Sequence, residues 1–405
     1  MTDSLKADVR FNIENEDEQK NVNLILSKGY VVPNNELDRK EKSDYRHKSP
    51  LTNAQFLLSP IIDEDGINIV GVFVSMNMAA CVVGNNVLIE NQVYHAARAL
   101  LGIVKYNLLS KGLDANIVGR MKKDSLTFVE VTLTYLFCLN NFNEARTSKV
   151  NLKTRGTALK NVSASSNFKN KKKKKKKKVY FTGDDSDYTV YFRERDYLIK
   201  AYVKDGPTDK CFAQFPTQEI ERTLYLEGAS LLRVEIDLKG VCLKRLNRKK
   251  ANDWRMTDKK DPYLIGLEII RKYFRFDDNL RTRRPQPAHL NKLCDTDREL
   301  VVAHLGGKDF RKNPIILSKG SKLAQQKYAS AVNVRVLDHV GIDLTLGWLE
   351  QSTELWPKLS QVLAVENLYE IPESLRKHSM CLTTLETATA KLDALSKQQG
   401  TAVTK

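Results

Sequence analysis

The sequence predicts an α+β chain, an antiparallel β-sheet unit followed by a mainly α-helical half. Three observations carry this expectation. Three segments, Val129–Thr134, Tyr197–Lys204 and Leu232–Lys239, alternate apolar and polar residues with period two. Beyond the basic run Lys244–Lys250 the apolar spacing turns helical, as in Leu264, Ile265, Leu267, Ile269 and Ile270. Breakers such as Arg283-Arg284-Pro285-Gln286-Pro287 and Gly306-Gly307 separate the helical stretches. The change of period places a domain boundary near residues 245–258.

In order along the chain, residues 1–55 read as a polar N-terminal segment with a Pro33-Asn34-Asn35 turn and little periodicity. The turn Asp63-Glu64-Asp65-Gly66 leads into Gly66–Gly84, a stretch of 19 residues without a charge. Its Val, Ile and Gly content, with Asn68, Ser75 and Asn77, fits a buried central strand and a short connection better than a membrane span. Asn91 is placed to cap a helix carrying Val93, Ala97, Leu100, Leu101, Val104 and Leu108 and ending near Gly112. Residues 147–178, rich in Ser, Thr, Asn and Lys, read as a flexible insertion ending in eight consecutive lysines that begin Lys171, Lys172, Lys173, Lys174. Val179-Tyr180-Phe181 and Tyr188–Phe192 form a hairpin around Gly183-Asp184-Asp185. The sheet unit therefore spans 56–250. Helical patterns at Pro262–Phe274, Asp295–Leu305, Ala331–Val340 and Leu344–Val365 fill a C-terminal domain over 258–395, and residues 396–405 read as a disordered tail.

The chain has 405 residues with 41% hydrophobic and 28% charged content, which suits two or three domains with their own cores. Its net charge is +17; without the eight-lysine run it is still +9. A basic excess spread over the whole length favours a polyanionic partner over a membrane, since no basic amphipathic helix stands out. Six scattered cysteines, with no CxxC, fit free thiols in a reducing compartment. Six dispersed histidines show no paired spacing, so any metal site leans on carboxylates, which suits Mg²⁺ or Mn²⁺ better than zinc. The N-terminus has no apolar stretch of the kind a signal peptide needs.

The strand faces carry the chemistry. Alternation puts Lys200, Tyr202 and Lys204 on one side of their strand, Arg233, Glu235, Asp237 and Lys239 on one side of theirs, and Glu130, Thr132 and Thr134 opposite Val129, Val131 and Leu133. Tyr197, five residues before Tyr202, falls on the apolar face. A phenol with a pKa of ~10 is a poor nucleophile near neutral pH. Two flanking lysines favour the phenolate and grip a phosphate, while carboxylates hold a divalent cation against a phosphodiester. The plain alternative is a half-buried antiparallel sheet whose charges face solvent. Lys244, Arg245, Arg248, Lys249 and Lys250, with Arg281, Arg283 and Arg284, are either phosphate contacts or solvated linker charges.

Thr189-Val190-Tyr191-Phe192, Leu198–Lys204 and Leu232-Arg233-Val234-Glu235 together resemble the "TVYF…LKAYxK…LRxE" core of filamentous-phage and plasmid replication initiators of the gene II/gene X type. Gly84-Asn85-Asn86-Val87 is similar to that family's Gly-His-Asn-Val element, and Phe128–Thr132 stands where it has Arg-Ile-Asp-x-Thr. The resemblance covers roughly residues 65–245. It implies an HUH/rolling-circle-initiator-like nicking domain that cuts one strand of double-stranded origin DNA. Such a domain keeps the 5′ phosphate on a tyrosine and later rejoins the ends. It further implies a displaced single strand, a host helicase and polymerase as partners, and action in the cytoplasm of a bacterial host. Tyr202 falls on the nucleophile of the family, with Lys200, Lys204 and Arg233 about the phosphate and Glu130 and Glu235 as ligands of Mg²⁺ or Mn²⁺. Asn85 stands in place of the family histidine, Phe128 of its arginine and Glu130 of its aspartate. The other expectation is a protein that keeps this fold and binds nucleic acid without cutting it.

Overall fold

Thr2–Arg10 form a strand, β1, where the sequence suggests only a polar lead-in. Leu5, Ala7 and Val9 alternate along it and are fully buried, but Lys6, Asp8 and Arg10 between them mask so short a stripe. The computed structural model describes residues 2–27, 46–85, 92–138, 178–182, 189–204, 231–256, 261–273, 281, 283–345, 347–348 and 362–403. After β1 come α1 (Glu16–Ser27), β2 (Arg46–Lys48), β3 (Gln55–Ile62), β4 (Ile69–Asn77) and α2 (Met78–Val83). Next are α3 (Val93–Ser110), α4 (Ala115–Arg120), β5 (Leu126–Cys138), β6 (Lys178–Thr182), β7 (Thr189–Arg193), β8 (Tyr197–Lys204) and β9 (Leu231–Lys239). The main later helices are α5 (Gly240–Arg245), α6 (Leu264–Tyr273), α7 (Asp295–Leu305), α8 (Lys322–Val340) and α9 (Leu382–Val403).

Among the described residues the nine strands form one antiparallel sheet in the order β2-β3-β4-β1-β5-β9-β8-β7-β6. The α+β expectation and the hairpin of β6 with β7 both hold; its turn residues 183–188 lie outside the described residues. Opposed pairs such as Val74–Ala7, Leu5–Val131, Leu133–Ile236, Val234–Ala201 and Ile199–Phe192 run across the sheet as one apolar face. Helices α3 and α6 lie on it, and α9 packs on α3. The uncharged stretch 66–84 holds the expected strand, and the expected short connection after it is the helix α2.

The contact of α6 with the sheet depends on Gly266. A Cβ there would stand 2.5 Å from the Tyr135 hydroxyl and 3.0 Å from Ile236 and Leu133. That hydroxyl is fixed, donating to the Tyr263 carbonyl and accepting from Leu267 N–H. Gly266→Ala is therefore expected to lower the unfolding free energy by about 1–3 kcal/mol, measured by urea titration. A change inside experimental error would mean the helix can back away freely.

Four sequence expectations are corrected. The N-cap of α3 is Gln92, without a side-chain hydrogen bond; Asn91 lies outside the described residues. On β5 the register slips between Phe128 and Glu130, so Val129 is 39% exposed and Phe128 takes the apolar face. The tail is helical as far as Val403, because Leu385, Ala388 and Leu392 bury themselves against α3 and its neighbours. Finally, 258–395 is not one helical domain. Leu267 and Ile270 near its start, and Leu363, Leu385 and Leu392 near its end, belong to the core of the sheet, while Leu300, Val301, Phe310, Val332 and Val336 form a smaller separate core. The helical pattern at Leu344–Val365 lies largely outside the described residues.

Candidate functional site

The second face of the sheet is polar but not open. Arg233, Glu235 and Asp237 on β9 are 2%, 6% and 8% exposed, and Thr134 beside Glu235 is fully buried. Burying charges is costly unless each has a partner, and here each has several. Arg233 Nε donates to Glu235 Oε1 at 2.8 Å, and its Nη2 donates to Asp3 Oδ2 at 2.9 Å. Lys200, opposite Glu235, lies 3.3 Å from Glu235 Oε2 and 3.4 Å from Asp237 Oδ2. Thr132 donates to Asp237 at 2.9 Å. Tyr202, opposite Arg233, donates its hydroxyl to Glu235 Oε1 at 2.6 Å, and the guanidinium lies 5.9 Å from its ring centre.

Alternation places Tyr202, Lys200, Glu235, Asp237 and Arg233 together, as the sequence predicts. Tyr197 points the other way, 5% exposed and stacked on Phe192 at 6.5 Å, also as predicted. Asp3 escaped sequence reasoning. By alternation with Ser4 and Lys6 it belongs to the apolar face, but the register slips between Thr2 and Ser4 and the bulge turns its carboxylate toward Arg233. Asp3 also accepts from Asn77 at 3.1 Å. Asp237 was readable as the next polar-face residue after Glu235.

The electrostatics differ from the expectation that two lysines favour the phenolate. Burial pushes the Tyr202 pKa up; Arg233 opposes this, and Glu235 adds to it as the acceptor of the hydroxyl proton. Burial also raises Glu235, but Arg233, Lys200 and the bond from Tyr202 outweigh it and hold the carboxyl well below its ordinary value. For Lys200, burial is outweighed by Glu235 and Asp237, which hold the ammonium charged. Burial, with Glu130 and Glu235 nearby, lifts Asp237. The side chain of Lys204 lies outside what is described; its backbone pairs with Leu231.

Glu130 and Glu235 do not fit a shared Mg²⁺ or Mn²⁺. Glu130 opposes Lys239 and Glu235 opposes Thr134, a separation of four residues, or about 13 Å along β5. Glu130 instead pairs with Lys6 at 2.7 Å. Between Glu235 and Asp237 the bridging cation is the Lys200 ammonium, and no acidic, His or Cys cluster suited to a metal occurs among the described residues. Asn85 is buried, donating to the His378 carbonyl at 3.0 Å.

The basic residues are dispersed. Lys171, Lys172, Lys173 and Lys174 lie outside the described residues. Lys244 and Lys250 are exposed, Lys249 is half-buried, and Arg245 pairs with Asp196 at 3.0 Å. Arg248 is half-buried, with its carbonyl accepting from Trp254 Nε1 at 2.9 Å. Arg281 donates to the Val340 carbonyl, while Arg283 and Arg284 are exposed. No helix is long and apolar enough to cross a membrane among the described residues. No family model, curated protein or solved structure matches this chain.

Proposed function

We propose that this protein nicks and rejoins DNA at a double-stranded origin, as a rolling-circle replication initiator, with Tyr202 as the nucleophile. The observation that carries the reading is the Tyr202 hydroxyl held 2.6 Å from the Glu235 carboxylate, in a network that also contains Lys200 and Arg233. In the step, Tyr202 Oη bonds to phosphorus as its proton passes to Glu235, and the P–O3′ bond breaks. The 5′ phosphate stays on the tyrosine, and the leaving 3′ oxygen takes up through water the proton that Glu235 received, which restores the carboxylate. Attack by a 3′ hydroxyl reverses the sequence and joins the ends. Arg233 and Lys200 offset the charge that gathers on phosphorus. The chemistry a bound Mg²⁺ or Mn²⁺ would add is polarisation of the phosphodiester, but the two carboxylates the resemblance assigns to it stand apart, so no step uses it. The partners and the bacterial cytoplasm that go with this role belong to the same proposal.

A second reading, a nucleic-acid-binding protein that keeps the fold without cutting, is favoured by one observation. Burial and Glu235 hold the Tyr202 hydroxyl protonated, and the cations around it already have carboxylate partners. Supercoiled plasmid carrying the cognate origin separates the two. Site-specific relaxation with protein attached to DNA supports nicking. Retarded but intact plasmid supports binding alone and ends the first reading.

Either reading requires an encounter with polyanion. Deleting Lys171–Lys177, which spares Lys178 at the start of β6, is expected to weaken DNA binding without regard to sequence. Every lysine that ceases to neutralise a duplex phosphate reduces the steepness of log K against log[salt] by about 0.9. An unchanged slope would make the lysine run an inert insertion.

A further inference from the structure

Three elements meet at Tyr94, away from the Tyr202 network. Tyr94 is the second residue of α3, Lys123 opens the 3₁₀ turn Lys123–Ser125, and Arg255 follows the 3₁₀ turn Ala251–Trp254. Lys123 Nζ donates to the Tyr94 hydroxyl oxygen at 2.5 Å and Arg255 Nη2 donates to it at 2.7 Å. Both cations also lie over the ring, 4.3 and 4.8 Å from its centre. The two turns are tied together, since Asn252 Nδ2 donates to Asp124 Oδ1 at 2.7 Å and Lys250 Nζ to Thr127 Oγ1 at 2.8 Å.

Neither Lys123 nor Arg255 forms an ion pair with a carboxylate among the described residues. The nearby acids are engaged elsewhere, Asp124 by Asn252 and Asp253 by the Lys250 N–H. His95, edge-on to the Tyr94 ring at 5.1 Å, feels Arg98, Lys123 and Glu386. Two cations from separate turns thus converge on one neutral oxygen, which balances them only by losing its own proton. Their hydrogen bonds, Lys123 first, hold the hydroxyl below its ordinary pKa. A tetrahedral oxyanion would give each cation an oxygen of its own. Lys122 and Lys250 are exposed on the same two segments, so a chain of phosphates would meet further positive charge there.

We propose that Lys123 and Arg255 bind one phosphate group at this junction, the Tyr94 hydroxyl standing in the place of one of its oxygens. The site makes no use of Tyr202, so it stands or falls apart from the nicking reaction. The test follows the tyrosine ring carbons by ¹³C NMR on the full chain, with the Tyr94 resonance identified by its disappearance in Tyr94→Phe. Inorganic phosphate is expected to move that resonance and raise its titration midpoint, because the phosphate draws both cations away from the ring oxygen. Lys123→Gln and Arg255→Gln should each weaken the response about tenfold or more, and Lys123→Arg should keep it. A single-stranded oligothymidylate acting at far lower concentration than inorganic phosphate would identify the group as nucleic-acid backbone, whereas equal potency would identify a free phosphate. Titration of Tyr94 that is the same with and without phosphate and oligonucleotide would overturn the site.

Discussion

Arg233→Met is expected to lower the unfolding free energy by about 3–5 kcal/mol, measured by urea titration at neutral pH. The arginine is 2% exposed and joins Asp3 at 2.9 Å to Glu235 at 2.8 Å. Removing it leaves two carboxylates without their shared cation on a face where water cannot replace it. The destabilisation should depend on acid. Glu235 is held below its ordinary 4.5 in the folded protein. The stability it contributes is therefore present above pH 4.5 and lost as pH falls below that value. In Arg233→Met this dependence is reduced, because Glu235 then keeps only Lys200 as a neighbouring cation and its carboxyl is held less far below 4.5. Adding Asp3→Asn and Glu235→Gln to the same variant should recover part of the stability, because the two carboxylates that shared Arg233 are gone while Lys200 keeps Asp237 as its partner. A decrease below about 1 kcal/mol would mean that water reaches this face and screens the pair.

Tyr202→Phe is expected to reduce nicking and the covalent protein–DNA product below detection while leaving the fold in place. The substitution removes only the hydroxyl, and Glu235 keeps Arg233 and Lys200 as donors, so the stability cost is about 1 kcal/mol. Tyr197→Phe should stay active, since that ring is stacked in the core on the opposite face. Mass spectrometry of the DNA-linked peptide locates the adduct. Nucleotide on Tyr197 or Tyr191, or full activity in Tyr202→Phe, would remove Tyr202 from the reaction.

Alternation alone was enough to assemble Lys200, Tyr202, Arg233, Glu235 and Asp237, because β8 and β9 run without a register slip. The same reasoning fails where the ladder slips. Asp3 reaches Arg233 only because β1 slips after Thr2, and Val129 is exposed only because β5 slips before Glu130. A bulge leaves no mark in the hydrophobic pattern of so short a segment. The sequence also suggests that the polar face is wet, whereas Arg233, Glu235 and Asp237 are buried, which local periodicity does not report. Glu130 shows the limit most clearly. It lies on the right face, yet the distance along the strand that separates it from Glu235 follows from pairing with β9, not from the order of residues. The same non-locality joins α9 to α3, which turned an expected tail into a packed helix.

The position of β1 has a consequence for how the protein is made. β1 is synthesised before both of its neighbours, since it sits between β4 and β5, so it waits for residues 69–77 and 126–138 before both its edges are paired. β5 waits longer, since its second neighbour is β9, which begins at Leu231. Until then a nascent chain carries a 13-residue strand with one bare edge, the kind of surface on which strands of other chains add. The Asp3–Arg233 bond closes a loop of more than half the chain, so it forms only when synthesis of the sheet is complete. Such long-range closure slows folding and makes the unfinished chain a natural client for chaperones that shield exposed strand edges.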